Sequence, residues 1–248
     1  HFDAYEFHPV VSKLQLYCSE DLGAFYLDVL KDRLYTTAPK SLARRSAQTA
    51  LHQITHAMLR WMAPFLSFTA EEAWTTFGKS ESIFLETFTD LGATDEVLLA
   101  KWRRIVEIRN VVNKEIEALR TTGAVGASLQ AEVIVWTDGC SLAALKSLAQ
   151  DLKFVLITSK ADVRTFDESE IKAMGGKELR SIGQPASDTS RDAMFHGVMA
   201  LKVSPTKLTK CERCWHYSDD VGHNPAHPTL CGRCDSNLHG DGEVRHFA

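Results

Sequence analysis

Four cysteines near the end of the chain form two Cys-x-x-Cys pairs, CERC and CGRC, separated by sixteen residues. Two residues between cysteines let the backbone turn tightly, so that both sulfurs face one point. Two such pairs supply four thiolates, which is the ligand set of a closed tetrahedral zinc site. The predicted ligands of one structural zinc ion are Cys211, Cys214, Cys231 and Cys234.

The predicted site is structural rather than catalytic, because four thiolates leave no coordination position open for water or substrate. The polar tail around it cannot build a hydrophobic core, and bound metal would take the place of one. A single Cys-x-x-Cys pair can instead act as a thiol oxidoreductase, but the doubled motif favours zinc. Histidines that could replace a cysteine ligand, and that we expect to be solvated, are His216, His223, His227, His239 and His246.

Two residues of the first cysteine pair are candidates for contacts with RNA. Trp215 directly follows Cys214, and Arg213 lies between the two cysteines. Aromatic rings and guanidinium groups on zinc knuckles hold single-stranded bases by stacking. We expect Arg213 to point away from the sulfurs toward a nucleotide. Trp215 either stacks on RNA bases or packs against the protein.

Further basic residues cluster around one helix junction near the start of the chain. Local clusters of this kind can neutralise phosphates even though the net charge of the chain is −4. Pairing with neighbouring acidic residues on a solvated surface explains such residues equally well. The first cluster comprises Lys31, Arg33, Lys40, Arg44 and Arg45. A second group on a later helix comprises Arg103, Arg104 and Arg109.

The composition, with 44% hydrophobic and 24% charged residues, is that of an ordinary globular protein of 248 residues. The two remaining cysteines, Cys18 and Cys140, are solitary, which is typical of a reducing compartment rather than of a secreted disulfide scaffold. A membrane span and a signal-peptide pattern are both missing from the sequence. We therefore expect a cytoplasmic monomer that binds no membrane. We predict no catalytic residue, because a Gly-rich phosphate loop, GxSxG and an isolated carboxylate pair are all missing.

The elements that position these residues begin with a set of helices. Apolar residues recur at helical spacing in 7–34, with a bend near Cys18 after which Ser19 caps a second segment. Ser41 is predicted to cap the next helix, which ends at Pro64.

The helical pattern continues after a short connection. Thr69 and Glu72 have the spacing of a capping box ahead of a short helix, which Gly78 closes. Residues 79–93 are predicted to form a loop, and 94–121 a long amphipathic helix. Four or five helices with short connections form a bundle, to which we assign residues 1–123.

A small α/β module of βαββ type is predicted for residues 124–206, followed by the zinc domain at 207–248. The stretch 167–195 is polar and rich in Gly and Ser, which indicates a long surface excursion. The protein is thus expected to be multidomain and mainly α. The predicted strands are 128–137, 161–166 and 197–204.

Two stretches of the sequence resemble one family of proteins. The first stretch, residues 31–74, resembles the anticodon-binding helical domain of class I aminoacyl-tRNA synthetases of the isoleucine, valine and leucine group. The resemblance rests on KDRLYTT, SLARRSAQTAL and LRWMAPFLSFTAEEAW. The tail at 210–248, with KCERCWHYSDDVG and LCGRCDSNLHGDGEVRHFA, is similar to the C-terminal zinc domain of the bacterial isoleucine-specific members. The resemblance covers essentially the whole chain in the same order.

The resemblance implies a C-terminal part of an ATP-dependent isoleucine–tRNA ligase that grips the anticodon stem-loop of tRNA(Ile). The HIGH-type and KMSKS-type motifs that bind ATP in this family are missing here, as is the editing domain. The catalytic and editing domains would precede His1 in the same chain, and this part alone is expected to be inactive. The resemblance implies that Arg33, Arg44 and Arg45 face the stem-loop, and that Arg213 and Trp215 approach the anticodon bases.

An alternative from another class is a non-enzymatic zinc-ribbon module that binds a second protein. Trp215, Tyr217 and the apolar tail would then form an exposed contact patch. RNA binding that weakens strongly with salt favours the tRNA interpretation, whereas a protein contact insensitive to salt favours the alternative.

Overall fold

The computed structural model describes residues 1–78, 80–182, 197–245 and 247. The chain forms two compact units, which divide between Thr94 and Asp95. The predicted domain boundaries at 123 and 206 stay predictions. The first unit comprises His1–Tyr35 and Pro39–Thr94, and the second comprises Thr36–Ala38 and Asp95–Ala248.

Helices dominate the first unit. An eleven-residue π-helical segment, Tyr17–Leu27, continues the backbone of the first helix into the second. The predicted bend with Ser19 as a cap is therefore wrong, since the hydroxyl of Ser19 donates back to the carbonyl of Leu16 at 3.2 Å. The helices are α1 (Phe7–Leu16), α2 (Asp28–Thr36), α3 (Leu42–Met62) and α4 (Ser67–Thr76).

The predicted cap of α3 is confirmed. Ser41 has an extended backbone, and its hydroxyl oxygen accepts a hydrogen bond from the amide of Arg44 at 3.3 Å. The predicted capping box is wrong, because α4 already begins at Ser67 and places Thr69 inside the helix. Gly78 follows the end of α4 as predicted, with a φ of +87° that favours glycine.

We expect Ser41→Ala to lower the free energy of unfolding of the first unit by about 1 kcal/mol, because the cap hydrogen bond is lost. Urea unfolding followed by helical circular dichroism measures this change. Ser46→Ala, an exposed serine inside the same helix, is the matched control and should change stability much less. Equal effects of the two substitutions would show that the cap contributes nothing.

The core of the first unit lies between α3, α4 and the short 3-10 turn Ile83–Leu85. Trp74 is its largest side chain, is 1% exposed, and donates its indole N–H to the carbonyl of Glu81 at 3.1 Å. The guanidinium of Arg60 lies 5.2 Å from the centre of the indole ring. The buried residues of this core are Leu59, Ala63, Ala70, Trp74 and Ile83.

The second unit is built on a mixed four-stranded sheet with strand order β2-β1-β4-β3. Strand β1 pairs in parallel with β2 and antiparallel with β4, which pairs antiparallel with β3. The strands are β1 (Ala131–Thr137), β2 (Lys160–Thr165), β3 (Lys177–Ile182) and β4 (Gly197–Pro205). The helices are α5 (Glu96–Thr121), α6 (Gly139–Lys146), α7 (Leu152–Leu156) and α8 (Glu168–Met174).

This order corrects the predicted βαββ module in two places. The helix predicted between the first strands is split into α6 and α7, because Ala149 has a φ of +48°. Within the predicted excursion at 167–195, the part up to Ile182 forms α8 and β3, and 183–196 lies outside the described residues. Asp167 caps α8 by accepting hydrogen bonds from the amides of Ser169 and Glu170.

Both faces of the sheet are covered. Trp136 on β1 packs with Ile171 of α8 and Ala200 of β4 on one face. Because strand side chains alternate, Val133 and Val135 point to the opposite face. There α5 packs against α6, α7 and β4. Buried apolar residues of those helices include Ile105, Ile108, Val112, Ile116, Leu145, Leu152 and Val155.

Two arginines of α5 belong to this core rather than to a phosphate-binding surface. Arg104 is 4% exposed and donates to the hydroxyl of Ser141 at 2.8 Å, and Arg109 donates to the carbonyl of Val155 at 2.9 Å. Arg103 is exposed on the same helix. The interpretation of Arg104 and Arg109 as surface cations is therefore wrong.

The last segment of the second unit contains little regular structure. It consists of a two-stranded hairpin, β5 (Thr209–Lys210) with β6 (Tyr217–Ser218), and the helix α9 (Gly232–His239). Among the helices of the described ranges, none combines the length and apolarity needed to cross a membrane.

Candidate metal centre and nucleic-acid interface

The four cysteines converge on one point, each from an end or a turn of an element. Cys211 and Cys214 lie in the turn between β5 and β6, closed by a hydrogen bond from the amide of Trp215 to the carbonyl of Cys211 at 2.9 Å. Cys231 is the N-cap of α9, and Cys234 lies in its first turn. Their sulfurs all lie within 4.8 Å of one another, and the residues are at most 7% exposed.

The surroundings of the sulfurs fit thiolates that hold a metal. The amide of Cys231 donates to the sulfur of Cys211 at 3.3 Å, and the guanidinium of Arg213 lies 3.7 Å from the sulfur of Cys234. N–H groups and positive charge beside sulfur stabilise the thiolate form. The first turn of α9 adds the positive end of a helix dipole. The donor set and its environment therefore match a zinc centre with four cysteine ligands.

Sulfurs packed this closely compete for their protons. A hydrogen bond to Cys214, together with burial, raises the pKa of Cys231 well above its usual range. Hydrogen bonds to Cys231 and Cys234 lower the pKa of Cys214. A bound divalent cation would offset the electrostatic repulsion among four closely packed thiolates. Buried sulfurs also do not fit a thiol oxidoreductase, whose reacting thiol must be accessible.

The loop between the two cysteine pairs is held by a close backbone approach. Gly222 has a φ of +82°, and its amide donates to the carbonyl of Leu230 at 3.1 Å. A Cβ at this position would lie 2.8 Å from the carbonyl oxygen of Pro228. Only glycine fits both requirements. The amide of Gly232 is satisfied by the carboxylate of Asp220 at 2.9 Å.

Arg213 is held within the protein, and the prediction that it points away from the sulfurs is wrong. Besides lying beside Cys234, its guanidinium donates to the carbonyl of Thr36 at 2.7 Å. Neighbouring Arg233 makes a second contact with the hydroxyl of Thr36 at 3.4 Å. Arg213 thus connects the first cysteine turn with α9 and residues 36–38 of the same unit. Its contact with a base stays a prediction.

Trp215 is 61% exposed, although it follows a candidate metal ligand directly. Its φ of +65° is unusual for a large side chain and places the ring outside the turn. The ammonium of Lys210 lies 5.4 Å from the centre of the ring. This arrangement leaves an accessible aromatic surface with a positive charge beside it.

The histidines of this region differ in burial and in their partners. None of them is needed as a ligand in place of a cysteine, because all four cysteines meet at the centre. His216 is 6% exposed, so the expectation that it is solvated is wrong; its ring packs edge-on against Phe154. His227 makes a hydrogen bond with Asp235 at 2.6 Å. His246 lies outside the described residues.

The end of α9 and the segment after it tie the metal region to the sheet module, and these residues were not predicted from the sequence. The side chain of Asn237 donates to the carboxylate of Glu243 at 2.9 Å, and the amide of Glu243 donates back to Asn237 at 2.8 Å. The guanidinium of Arg245 lies 3.4 Å from the centre of the Phe154 ring. Asn237 and Glu243 are six residues apart, a spacing that belongs to no known local motif, so no sequence signal indicates their pairing.

The basic residues predicted for the stem-loop all lie in the first unit. Arg33 is half-buried on α2. Burial raises the pKa of the Tyr26 hydroxyl, and the positive charge of Arg33 opposes this rise. Arg44 and Arg45 lie in the first turn of α3, the former half-buried and the latter exposed. Lys31 pairs with Asp28 at 3.0 Å, as the surface-pair interpretation expects.

Two family models match the chain. The anticodon-binding domain of tRNA ligase matches residues 1–135, and the zinc finger found in FPG and IleRS matches residues 210–237. These matches confirm the resemblance drawn from the helical stretch and the cysteine tail.

Similar curated proteins are described as isoleucine–tRNA ligases. They include those of Cupriavidus necator, 53% identical over 257 residues, Thiobacillus denitrificans, 51% over 252, and Burkholderia cenocepacia, 51% over 251. Each alignment covers 100% of this chain and 24% of the relative, so the chain spans about a quarter of the length of these relatives. Because the first family model covers more than half of the residues, the chain belongs to the family of anticodon-binding domains of tRNA ligases.

Proposed function

We propose that this chain is the anticodon-binding region of an isoleucine–tRNA ligase and binds the anticodon stem-loop of tRNA(Ile). The observation that carries the proposal is the continuous similarity to isoleucine–tRNA ligases across both the anticodon-binding match and the zinc finger match. The complete enzyme, a cytoplasmic monomer, attaches isoleucine with ATP in domains outside this chain. Contacts at the anticodon then help to position the distant acceptor end of the tRNA.

The zinc ion in this proposal is structural and is held by Cys211, Cys214, Cys231 and Cys234. When bound, it supplies a crosslink between the β5–β6 hairpin and α9. The supporting observations are the four buried, converging sulfurs and the N–H groups directed at them. Since the surrounding segment contains few buried apolar side chains, the crosslink takes the place of a core.

Trp215 is the proposed stacking surface for an anticodon base. Its backbone is fixed by the cysteine turn, so little conformational entropy is lost when a base stacks on the ring. The ammonium of Lys210 suits the phosphate of a nucleotide held there. Bases splayed out of a loop are the usual targets of such aromatic surfaces.

Arg44 and Arg45 are the proposed phosphate contacts. Cations in the first turn of a helix are repelled by the positive end of the helix dipole, so these residues do not serve the stability of α3. The same location favours anions, because the backbone N–H groups and the positive end of the helix dipole attract negative charge, as the guanidinium groups also do. A phosphate of the stem-loop would therefore meet three favourable contributions at this helix end.

We expect Arg45→Ala to weaken the binding of every anticodon stem-loop alike, whether cognate or scrambled. Loss of one phosphate contact should also reduce the slope of log affinity against log salt concentration by about 1. Fluorescence titration of the full chain with both loops at several salt concentrations measures the effect. Lys172→Ala, an exposed cation on α8, is the matched control and should leave affinity and slope unchanged.

The same titration tests the proposed function as a whole. A cognate stem-loop that binds no better than a scrambled one would contradict recognition of the anticodon. The protein-interaction alternative is not favoured by the comparisons. It predicts instead that no stem-loop binds and that a protein partner is retained at high salt.

A further inference from the structure

A second cluster of side chains that can ligate a metal lies on one face of α9 and in the loop before it, separate from the four sulfurs. It consists of His227, Asp235 and His239, and one ligand atom of each lies within 4.8 Å of the other two. None of the three takes part in the proposed function. His227 and Asp235 are partly buried and His239 is exposed, in contrast to the buried cysteines.

The local structure explains why the three side chains meet. Asp235 and His239 are four residues apart on α9, so their side chains share one face of the helix. His227 reaches the same face from the loop before the helix, and its Nδ1 lies 2.6 Å from the carboxylate of Asp235. The rings of His227 and His239 are stacked, with their centres 4.0 Å apart and an angle of 11° between their planes.

The second carboxylate oxygen of Asp235 is held in place by Asn224. The side-chain amide of Asn224 donates to it at 2.9 Å, and the amide of Ala226 donates at 3.0 Å to the carbonyl oxygen of the Asn224 side chain. Outer hydrogen bonds of this kind orient ligating groups in metal sites. Asp235 and Asn224 also line an open cavity of about 420 Å³, of which His227 and His239 are not lining residues; the exposed ring of His239 leaves the cluster accessible from solvent.

We propose that His227, Asp235 and His239 form a second, exchangeable site for a divalent transition metal ion such as Zn²⁺. Two imidazoles and one carboxylate are ligands that zinc accepts, and three protein ligands leave a position open for water. The ion takes the place of the proton in the hydrogen bond between His227 and Asp235, and this proton is released to solvent. With no thiolate among its ligands, this site fills after the cysteine site and releases its ion more readily.

The test starts from the full chain loaded with one equivalent of zinc, as verified by elemental analysis. Further Zn²⁺ is added against a competing indicator, and the ¹⁵N signals of the histidine rings are followed by NMR. We expect one additional equivalent to bind and to shift the ring signals of His227 and His239. His239→Ala and Asp235→Asn should each weaken this second equivalent by at least about tenfold, while the first stays bound.

His223→Ala is the matched control, because His223 belongs to the same segment but not to the cluster. It should leave the second equivalent unchanged. The proposal is overturned if no second ion binds, if His239→Ala and Asp235→Asn bind it as tightly as the original chain, or if the rings of His227 and His239 do not respond. If His239→Ala disturbs folding, it will lose the first ion. The proposal is then tested by the histidine ring signals of the unsubstituted chain and by the affinity of Asp235→Asn for the second ion.

Discussion

Cys231→Ser is expected to release the zinc ion and to unfold the chain from about residue 207 onward. Cys231 caps α9, and its sulfur lies 3.8 Å from that of Cys214, at the centre of the cluster. A serine hydroxyl does not replace a thiolate ligand, so the site loses its closed tetrahedral set. Binding of structural zinc contributes about 10–16 kcal/mol to the folding of small zinc modules, far more than a segment with few buried apolar residues gains otherwise.

Elemental analysis should show the metal content falling from one ion per chain to nearly none. Amide hydrogen exchange should show loss of protection in β5, β6 and α9. The first unit should keep its melting transition, because Trp74 and its neighbours form a core within that unit. Cys140→Ser is the matched control, since Cys140 is exposed and belongs to no cluster of the described residues. Full metal content in Cys231→Ser would show that the ligand assignment is wrong.

Trp215→Ala is expected to weaken binding of the cognate anticodon stem-loop by roughly tenfold to a hundredfold. Loss of one base–aromatic stack costs about 1–3 kcal/mol, which corresponds to this range of affinity. Zinc content should stay intact, because the ring is 61% exposed and the residue contributes only its backbone to the cysteine turn. Affinity and metal content are measured on the same preparation, by fluorescence titration and elemental analysis.

The effects of Trp215→Ala and Arg45→Ala on stem-loop binding should differ in their dependence on salt concentration. A stacking contact should leave the salt dependence of binding unchanged, whereas loss of a phosphate contact should reduce it. Phe68→Ala supplies a matched control, since Phe68 is an aromatic residue of the first unit that is 93% exposed. Unchanged affinity of Trp215→Ala for the cognate loop, with zinc in place, would refute the stacking role.

Local signals predicted the elements whose chemistry lies within a few consecutive residues. Ser41 caps α3 because a hydroxyl and an amide three residues later suffice for that contact. The cysteine spacing likewise brought each pair of sulfurs together through a short turn, and the fold then joined the two pairs. The predicted bend at Ser19 failed because the backbone continues through a π-helical segment, for which we have no sequence signal.

The polar stretch after residue 167 shows how position in a sheet outweighs composition. Asp167 followed by Glu170 is a helix-start pattern, and Gly175 closes α8 with a φ of +70°. Strand β3 was missed because it lies at the edge of the sheet, paired among the described strands with β4 alone, where charged residues such as Lys177 and Glu178 are tolerated.

The sequence by itself determined the four converging cysteines, the cap of α3 and the family, because spacing and residue type are local and directly readable. Only the tertiary structure decided the roles of the arginines. Arg104 and Arg213 look alike as isolated cations, yet the first donates to Ser141 and the second to Thr36, partners that lie 37 and 177 residues away. The structure likewise brought His227 to Asp235 and His239 and left Trp215 exposed. Burial and distant partners follow from the path of the whole chain, and no local pattern of residues contains them.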